Sequence, residues 1–389
     1  MYKIQTLNKI AKQGTDIFDK AKYEISDAPE APDAILVRSA KMHDMQFGSQ
    51  LLAIARAGAG TNNIPTARCA EEGIVVFNTP GANAEAVKEL AIAAMLLSGR
   101  DVIGGIDWVK TIAGTPDVAA QVEAGKSAYV GGEIYGKTLG VIGLGAIGAK
   151  LVNDAVSLGM NVYGFDPYLS AEAAWKLTPN AIHTKDVAEI YKNCDFISIH
   201  VPYIDASKEN STHHYINKNT IAQMKKGVVI MNLSRAELVN DDDILAAIEA
   251  GHVSKYVTDF PNNTTAGAAG VLAIPHLGAS TPESEEKCAY MAAVQTIDYI
   301  ENGNIVNSVN MPRVTMPRAG AVRVCVIHRG AVDAVAITAA IGAEALAVVS
   351  APARGVDVAY TMVDVADIAD SAKATLEALD GVIKVRILK

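Results

Sequence analysis

The chain has 389 residues, half of them apolar and a fifth charged, with 5% aromatics and 31 glycines. At about 150 residues per domain this length is two or three domains, and the mix excludes a disordered, collagen-like or coiled-coil protein. The formal charge of −9 argues against a nucleic-acid binder, because phosphate backbones draw on surplus Lys and Arg. It leaves room for a small anionic ligand held by two or three local cations.

Cys69, Cys194, Cys288 and Cys325 are scattered with no CxxC pair, so neither a disulfide framework nor a metal site is expected. The start, MYKIQTLNKIAK, lacks the apolar run of a signal peptide. No stretch approaches the ~20 apolar residues of a membrane span. The expectation is a cytoplasmic protein that binds no membrane.

In chain order, YKIQTL (2–7), AILVR (34–38), LAIARAG (52–58) and IVVFN (74–78) read as short buried strands. Residues 9–21 and 63–72 have helical spacing between them. This alternation predicts a parallel sheet covered by helices. A long helix follows over 84–98. A second α/β series comprises TLGVIGLG (138–145), NVYGFD (161–166), FISIHVP (196–202), GVVIMNLS (227–234) and KYVTDF (255–260). Another long helix covers about 282–301. Two long helices bracketing one α/β unit suggest that it is inserted into the first.

The segment 311–320 holds Pro312, Pro317 and Gly320 and reads as a linker. The tail follows in the order strand (321–328), helix (331–342), strand (344–350), strand (357–365), helix (367–379), strand (382–389), a ferredoxin-like arrangement. The predicted architecture is α/β, with two Rossmann-like doubly wound domains and a C-terminal α+β domain. Their expected bounds are 1–98 with 280–311 (discontinuous, flavodoxin-like), 99–279 (nucleotide-binding) and 318–389.

VIGLGAIG places Gly143, Gly145 and Gly148 in GxGxxG spacing, after a strand and at the start of a helix. That context gives the motif its meaning: a tight turn, close backbone approach to a pyrophosphate, and close helix packing. The helix N-terminus then offers free N–H groups to phosphates. Asp166 ends the next strand, where a carboxylate accepts from ribose hydroxyls and repels a 2′-phosphate, so NAD is expected rather than NADP. GGEIYGKT (131–138) fits the P-loop spacing but leads into a strand rather than a helix, which reverses that motif's geometry.

Dehydrogenation needs a group that moves a proton and a cation that holds an acid. Arg235 and His276 stand at strand ends, where doubly wound sheets bind ligands; a surface ion pair and a core histidine are the plainer readings. His213 and His214 are adjacent and neither has an i+4 partner for a metal. His200, in HVP, suits a wall of the cofactor pocket as well as an acid.

The motifs ILVRSA, RAGAGTNNI, NTPGANAEAVKEL, GKTLGVIGLGAIG, VYGFDPY, CDFISIHVP, MNLSR, YVTDFPN and IPHLGAST occur in unbroken order over residues 1 to about 310. In them the chain resembles the NAD-dependent D-2-hydroxyacid dehydrogenases, most closely the D-3-phosphoglycerate dehydrogenases with a C-terminal ACT-like domain. The resemblance implies that Arg235 holds the substrate carboxylate and carbonyl oxygen, and that His276 is the general acid/base. It implies that Asp259 meets the nicotinamide carboxamide. Ala146, Ile147, His200, Val201, Pro202, Leu233, Ser234 and Gly278 would complete the cofactor site, and Arg38, Ser39, Ala59, Gly60 and Asn83 the substrate site. The implied reaction oxidises 3-phosphoglycerate to 3-phosphohydroxypyruvate for serine synthesis, in a homodimer or homotetramer. A sibling glyoxylate or hydroxypyruvate reductase, or a non-catalytic NADH-sensing scaffold, are the alternatives.

The sequence departs from this pattern in three places. The usual Glu between Arg and His is absent, since FPNNTTAGAAGVLAIP (260–275) carries no charge. A histidine without its carboxylate titrates nearer ~6.5, so ketoacid reduction is expected to have an acid-shifted pH optimum. Arg-Ala (235–236) replaces the common Arg-Gly; if that turn needs φ > 0, Ala costs about 1 kcal/mol. The tail run HRGAVDAVAITAAIGAEALAVV has few polar groups to hold an amino-acid effector, which favours an assembly or vestigial domain over serine feedback. For a substrate phosphate the nearby cations are Arg38, Arg56 and Lys41. Lys88, in a V-x-E-L segment where a small residue is usual, reads either as a further anion ligand or as a solvated helix charge.

Overall fold

The computed structural model describes residues 1–353 and 355–389. The early apolar runs become β1 (Tyr2–Leu7), β3 (Ala34–Val37), β4 (Ala53–Arg56) and β5 (Val75–Phe77), joined by β2 (Tyr23–Ser26). They pair in parallel in the order β2-β1-β3-β4-β5, an open doubly wound order. Every residue of β3 and β5 is buried, as expected where both faces of a parallel sheet are covered. The helix expected over 9–21 is only one turn, Lys12–Thr15. Gly14 there sits so close to Ala289 of the long helix Pro282–Asn302 that a Cβ would strike its carbonyl.

The second α/β series forms β6 (Thr138–Ile142), β7 (Asn161–Phe165), β8 (Ile182–His183), β9 (Phe196–Ile199), β10 (Val228–Asn232), β11 (Val253–Thr258) and β12 (Val271–Ala273). Their order is β12-β11-β10-β9-β6-β7-β8, with all pairs parallel. The chain runs outward from β6 to β8, then returns to place β9 on the other side of β6. Such a reversal opens a crevice at the carboxyl ends of the two central strands. The decoy GGEIYGKT does lead directly into β6.

The chain divides into two compact units, residues 1–83 with 282–389, and residues 84–281. The helix Ala84–Gly99 thus belongs to the second unit, not to the first as the border at 98/99 had it. Its Ala91, Ala94 and Met95 pack among Leu151, Val152 and Leu139, and Lys88 Nζ lies 2.7 Å from Asp154 of the helix Ala146–Ser157. Small residues on one face let the two helices approach closely.

The tail forms β13 (Val322–His328), β14 (Ala345–Pro352), β15 (Ala359–Val365) and β16 (Val382–Leu388), an antiparallel sheet of order β14-β15-β13-β16. Helices Ala334–Ile341 and Ala372–Glu377 cover one face, with Ile337 and Leu376 against Val324, Val363 and Val385. The other face gives Cys325, Ile327, Tyr360 and Met362 to the same core as Ile4, Phe77 and Tyr299. That shared core explains why 318–389 groups with the first unit rather than standing apart. Among the described residues, no helix is long and apolar enough to cross a membrane.

Candidate active site

Within the second unit, the site residues gather on the loops that leave the carboxyl ends of the parallel strands. After β6, Gly143 has φ +93°, and a Cβ there would lie 2.7 Å from the His200 carbonyl carbon and oxygen, where the loop after β9 crosses. Only glycine fits both the angle and the approach. Gly145 is exposed with nothing within 4 Å of where a Cβ would stand, and a Cβ on Gly148 would strike the Gly143 carbonyl. Gly145 precedes the helix Ala146–Ser157 without any side-chain cap, so the N–H groups of the first turn have neither an intrahelical nor a capping partner. Such a helix start suits a phosphate.

Asp166 ends β7. Its Oδ2 accepts from Leu144 N at 2.9 Å and its Oδ1 from Tyr168 N at 2.9 Å, so the carboxylate is fixed beside the glycine turn with lone pairs to spare. A cavity of about 910 Å³, walled mainly by apolar groups such as Leu144, Pro167, Leu169 and Trp175, opens next to it. An apolar slot bordered by a fixed carboxylate and a bare helix start accommodates a dinucleotide's flat base, ribose and pyrophosphate in turn.

His200 follows β9. Its Nε2 lies 2.8 Å from Ser198 Oγ, while its Nδ1 is buried without a hydrogen-bond partner among the described residues. Burial pulls this imidazole down to about 4, so at neutral pH it is an uncharged wall. Val201 lies against the Gly143 turn and Pro202 is exposed beside it.

After β10, Leu233 is buried and Ser234 Oγ donates to Ile199 O at 2.8 Å. Asn232 Nδ2 donates to Arg235 O at 2.8 Å, and Arg235 Nη1 donates to Ser234 O at 2.6 Å. The loop is thereby fixed with the Arg235 guanidinium exposed. Ala236 opens a short 3-10 turn, Ala236–Leu238, and is not among the residues with positive φ. The strain considered for Arg-Ala therefore does not arise.

Asp259, just past β11, is 1% exposed. Its Oδ1 has no hydrogen-bond partner among the described residues. Burial pushes its carboxyl up, and the charges of His276 and Arg235 and the N–H groups of Asp259 and Gly278 oppose that rise. His276 is exposed, with its ring 4.5 Å from that of Phe260. Gly278 is buried; a Cβ there would stand 3.3 Å from Val87 and 3.4 Å from Asp259 Oδ2.

The remaining expected residues lie in the first unit, again at carboxyl ends. Arg38 and Ser39 follow β3, Ala59 and Gly60 follow β4, and Asn83 follows β5. Asn8 Oδ1 accepts from Ser39 N at 3.0 Å, and Asn78 Nδ2 donates to Ala59 O at 2.7 Å. Arg56 Nε donates to Arg38 O at 3.2 Å. Sequence reasoning missed Glu285, whose Oε1 lies 2.8 Å from Arg38 Nη2; nothing in TPESEE marks one acid of three. It also left Lys88 open. Lys88 is buried and bound to Glu85 and Asp154, each at 2.7 Å, so it holds two helices together and is no free anion ligand.

Residues 92–278 match the family described as D-isomer specific 2-hydroxyacid dehydrogenase, NAD binding domain. The chain is 31% identical over 310 residues to a hydroxypyruvate reductase of Thermotoga maritima, covering 74% of this chain and 94% of that one. It belongs to the D-2-hydroxyacid dehydrogenase family, and its cofactor is NAD. Within the family it is similar to the D-3-phosphoglycerate dehydrogenase of Bacillus subtilis, at 30% identity over 333 residues and 81% of this chain. It spans only 60% of that relative's length. The NAD+-bound 3-phosphoglycerate dehydrogenase of Entamoeba histolytica superposes with a TM-score of 0.62 at 26% identity, over 79% of this chain and 98% of that one.

Proposed function

We propose that the chain oxidises D-3-phosphoglycerate to 3-phosphohydroxypyruvate with NAD. The observation that carries the chemistry is the placement of Arg235, Asp259 and His276 just past the carboxyl ends of the adjacent strands β10, β11 and β12, in the sheet that also carries the glycine turn after β6. The phosphorylated substrate is favoured by the Bacillus subtilis relative, which matches over most of this chain.

The dinucleotide would lie on the Gly143–Gly148 turn, with its ribose at Asp166 and its nicotinamide toward Asp259. When bound, it supplies a carbon that accepts the hydride from substrate C2. Arg235 presents paired N–H donors in a planar fork, suited to a carboxylate and the adjacent oxygen. His276 removes the hydroxyl proton as the C2–H electron pair leaves, and the C2–O bond becomes a carbonyl. In reduction His276 returns that proton. The neutral His200 and the apolar Leu233 and Val201 line the cofactor side without adding charge.

A second reading, reduction of an unphosphorylated ketoacid such as hydroxypyruvate, is favoured by one observation. Arg38, one of the cations expected to meet a substrate phosphate, is already paired with Glu285. We also propose self-association through the helix Val102–Thr111, which has no buried residue and exposes Ile103, Ile106 and Val109. For the tail sheet we propose an ACT-like assembly role.

The test is NADH oxidation with 3-phosphohydroxypyruvate, hydroxypyruvate and glyoxylate, repeated with His276→Ala. A preference of about a hundredfold in kcat/KM for the phosphorylated acid, about 2.7 kcal/mol of transition-state binding, lost in the variant, supports the first reading. Similar rates for all three acids favour the second.

A further inference from the structure

An aromatic side chain standing singly at a surface needs no explanation, but one that borders an apolar cavity does. Trp175 is 89% exposed and lines the cavity of about 910 Å³ beside Asp166. Leu169 and Leu177, on either side of it in sequence, line the same cavity and pack against the core that holds Leu144 and Val152. The core takes up these leucines and leaves the largest apolar group of the segment at the cavity's rim, where an entering ligand meets it.

The segment that carries the indole is held in place. Ser170 Oγ accepts from Ala173 N at 3.1 Å at the start of the short helix Ala171–Ala174, and Trp175 N donates to Ala171 O at 3.2 Å. Asn153 holds the residues that follow: its Nδ2 donates to Lys176 O and its Oδ1 accepts from Thr178 N, each at 2.8 Å. Asn153 lies on the helix Ala146–Ser157, which starts at the glycine turn. One helix therefore offers its N-terminus to a pyrophosphate and positions a wall of the apolar cavity, so little ordering is left for a ligand to bring about.

We propose that Trp175 stacks on the adenine of NAD and is a cofactor-binding residue of this chain. This rests on the reading that lays the dinucleotide along the Gly143–Gly148 turn with its ribose at Asp166. From there the base falls into the cavity beside Asp166, and Trp175 presents the largest flat face in its lining. Stacking a base on an aromatic face excludes water from both and adds dispersion contacts over the whole ring. It needs no particular hydrogen-bond pattern on the base, which suits a cavity walled mainly by apolar groups.

The test uses ADP-ribose, which carries the adenosine and the pyrophosphate without the nicotinamide, and the full chain. The two tryptophans are Trp108 and Trp175. ADP-ribose is expected to quench the tryptophan emission of the unaltered chain, and the quench should vanish in Trp175→Phe. By calorimetry Trp175→Ala should raise the Kd for ADP-ribose about tenfold, while Trp175→Phe, which keeps a flat face, stays within about threefold. A Kd for Trp175→Ala within about twofold of the unaltered chain overturns the proposal. Gly145→Asp separates this from the cofactor's placement, because it sets a carboxylate against the pyrophosphate at the start of the helix. Weakening by Gly145→Asp but not by Trp175→Ala removes the stacking and leaves the dinucleotide on the turn. ADP-ribose that ignores both substitutions overturns the stacking and the placement together. Neither measurement needs turnover, so the identity of the ketoacid does not enter.

Discussion

Arg38 Nη2 lies 2.8 Å from Glu285 Oε1, and both side chains are more than a third exposed. The pair links the loop after β3 to the first turns of the helix Pro282–Asn302, within one compact unit. An ion pair this accessible contributes little to stability, typically 0.2–1 kcal/mol. Its effect on a ligand is larger in consequence, because Glu285 cancels the charge that a substrate phosphate would seek.

Glu285→Gln therefore tests what Arg38 faces. Releasing the guanidinium is expected to raise kcat/KM for 3-phosphohydroxypyruvate about fivefold, matching ~1 kcal/mol. The value for hydroxypyruvate should stay where it is. Steady-state kinetics at low and high salt would show the gain shrinking as screening grows. Equal changes for both acids would mean that Arg38 does not distinguish them.

Lys88 leads to the opposite expectation. It is 7% exposed and meets Glu85 and Asp154 at 2.7 Å each, while Lys150 meets Glu85 at 2.8 Å. The hydrogen bonds from Lys150 and Lys88 hold Glu85 down to about 2, and those to Asp154 and Glu85 hold Lys88 above its usual range. Lys88→Met takes the cation from Asp154 and leaves Glu85 to Lys150 alone, at a cost of about 1–3 kcal/mol. Thermal unfolding should fall by several degrees, while KM for either ketoacid changes by less than about twofold. A selective rise in KM for the phosphorylated acid would return Lys88 to the binding site.

Much of this arrangement was legible in the sequence, and the exceptions share a cause. Strands β3, β6, β9 and β10 are buried runs ended by turn or polar residues, so their composition alone marks them. Strand β2, Tyr23–Ser26, alternates weakly within a polar stretch and is defined by pairing with β1, a tertiary event. The segment expected as a helix over 9–21 is likewise settled by tertiary packing, its single turn seating Gly14 directly against Ala289. Arg235 and His276 were accessible because strand ends of doubly wound sheets collect ligands, and Asp259 only through the family resemblance carried by YVTDFPN. That Asp259 would be buried with an unpaired oxygen, or that Glu285 would meet Arg38 across about 250 residues of sequence, depends on packing that no local pattern records.

His200 gives the pH dependence a sign. Its imidazole is pulled from 6.5 to about 4 by burial, so between those values the unfolded chain binds a proton that the folded chain refuses. Stability then falls as pH drops from about 6.5 toward 4, and is unaffected by this group above that window. Thermal unfolding followed from pH 7.5 to 4 should show a steeper decline for the unaltered chain than for His200→Gln, whose amide can still meet Ser198. Parallel curves would show that His200 reaches solvent on protonation.

A buried ion pair within the tail sheet anchors the chain segments that lead into it. Arg323 and Asp364 stand opposite each other on β13 and β15, 1% and 0% exposed at their side chains, and meet in two parallel hydrogen bonds of 2.7 and 2.8 Å. Arg323 also donates to Asn302 O at 2.8 Å and Pro317 O at 3.1 Å, while Asp364 Oδ2 accepts from Ala319 N at 2.7 Å. The pair thus ties the end of the helix Pro282–Asn302 and the 311–320 linker to the sheet. Burial opposes the charge on Asp364, but the Arg323 hydrogen bonds and the Ala319 N–H prevail and hold its carboxyl below the usual range. Arg323→Met leaves a buried carboxylate uncompensated and is expected to cost about 3–5 kcal/mol. Adding Asp364→Leu removes that orphan and should recover about half of the loss. Recovery stays incomplete because the carbonyls of Asn302 and Pro317 and the Ala319 N–H keep no partner. A double-mutant cycle read by thermal unfolding should give a coupling of about 2 kcal/mol or more. Additive losses would show that the two side chains act through separate partners, and that the linker contacts rather than the ion pair hold the tail in place.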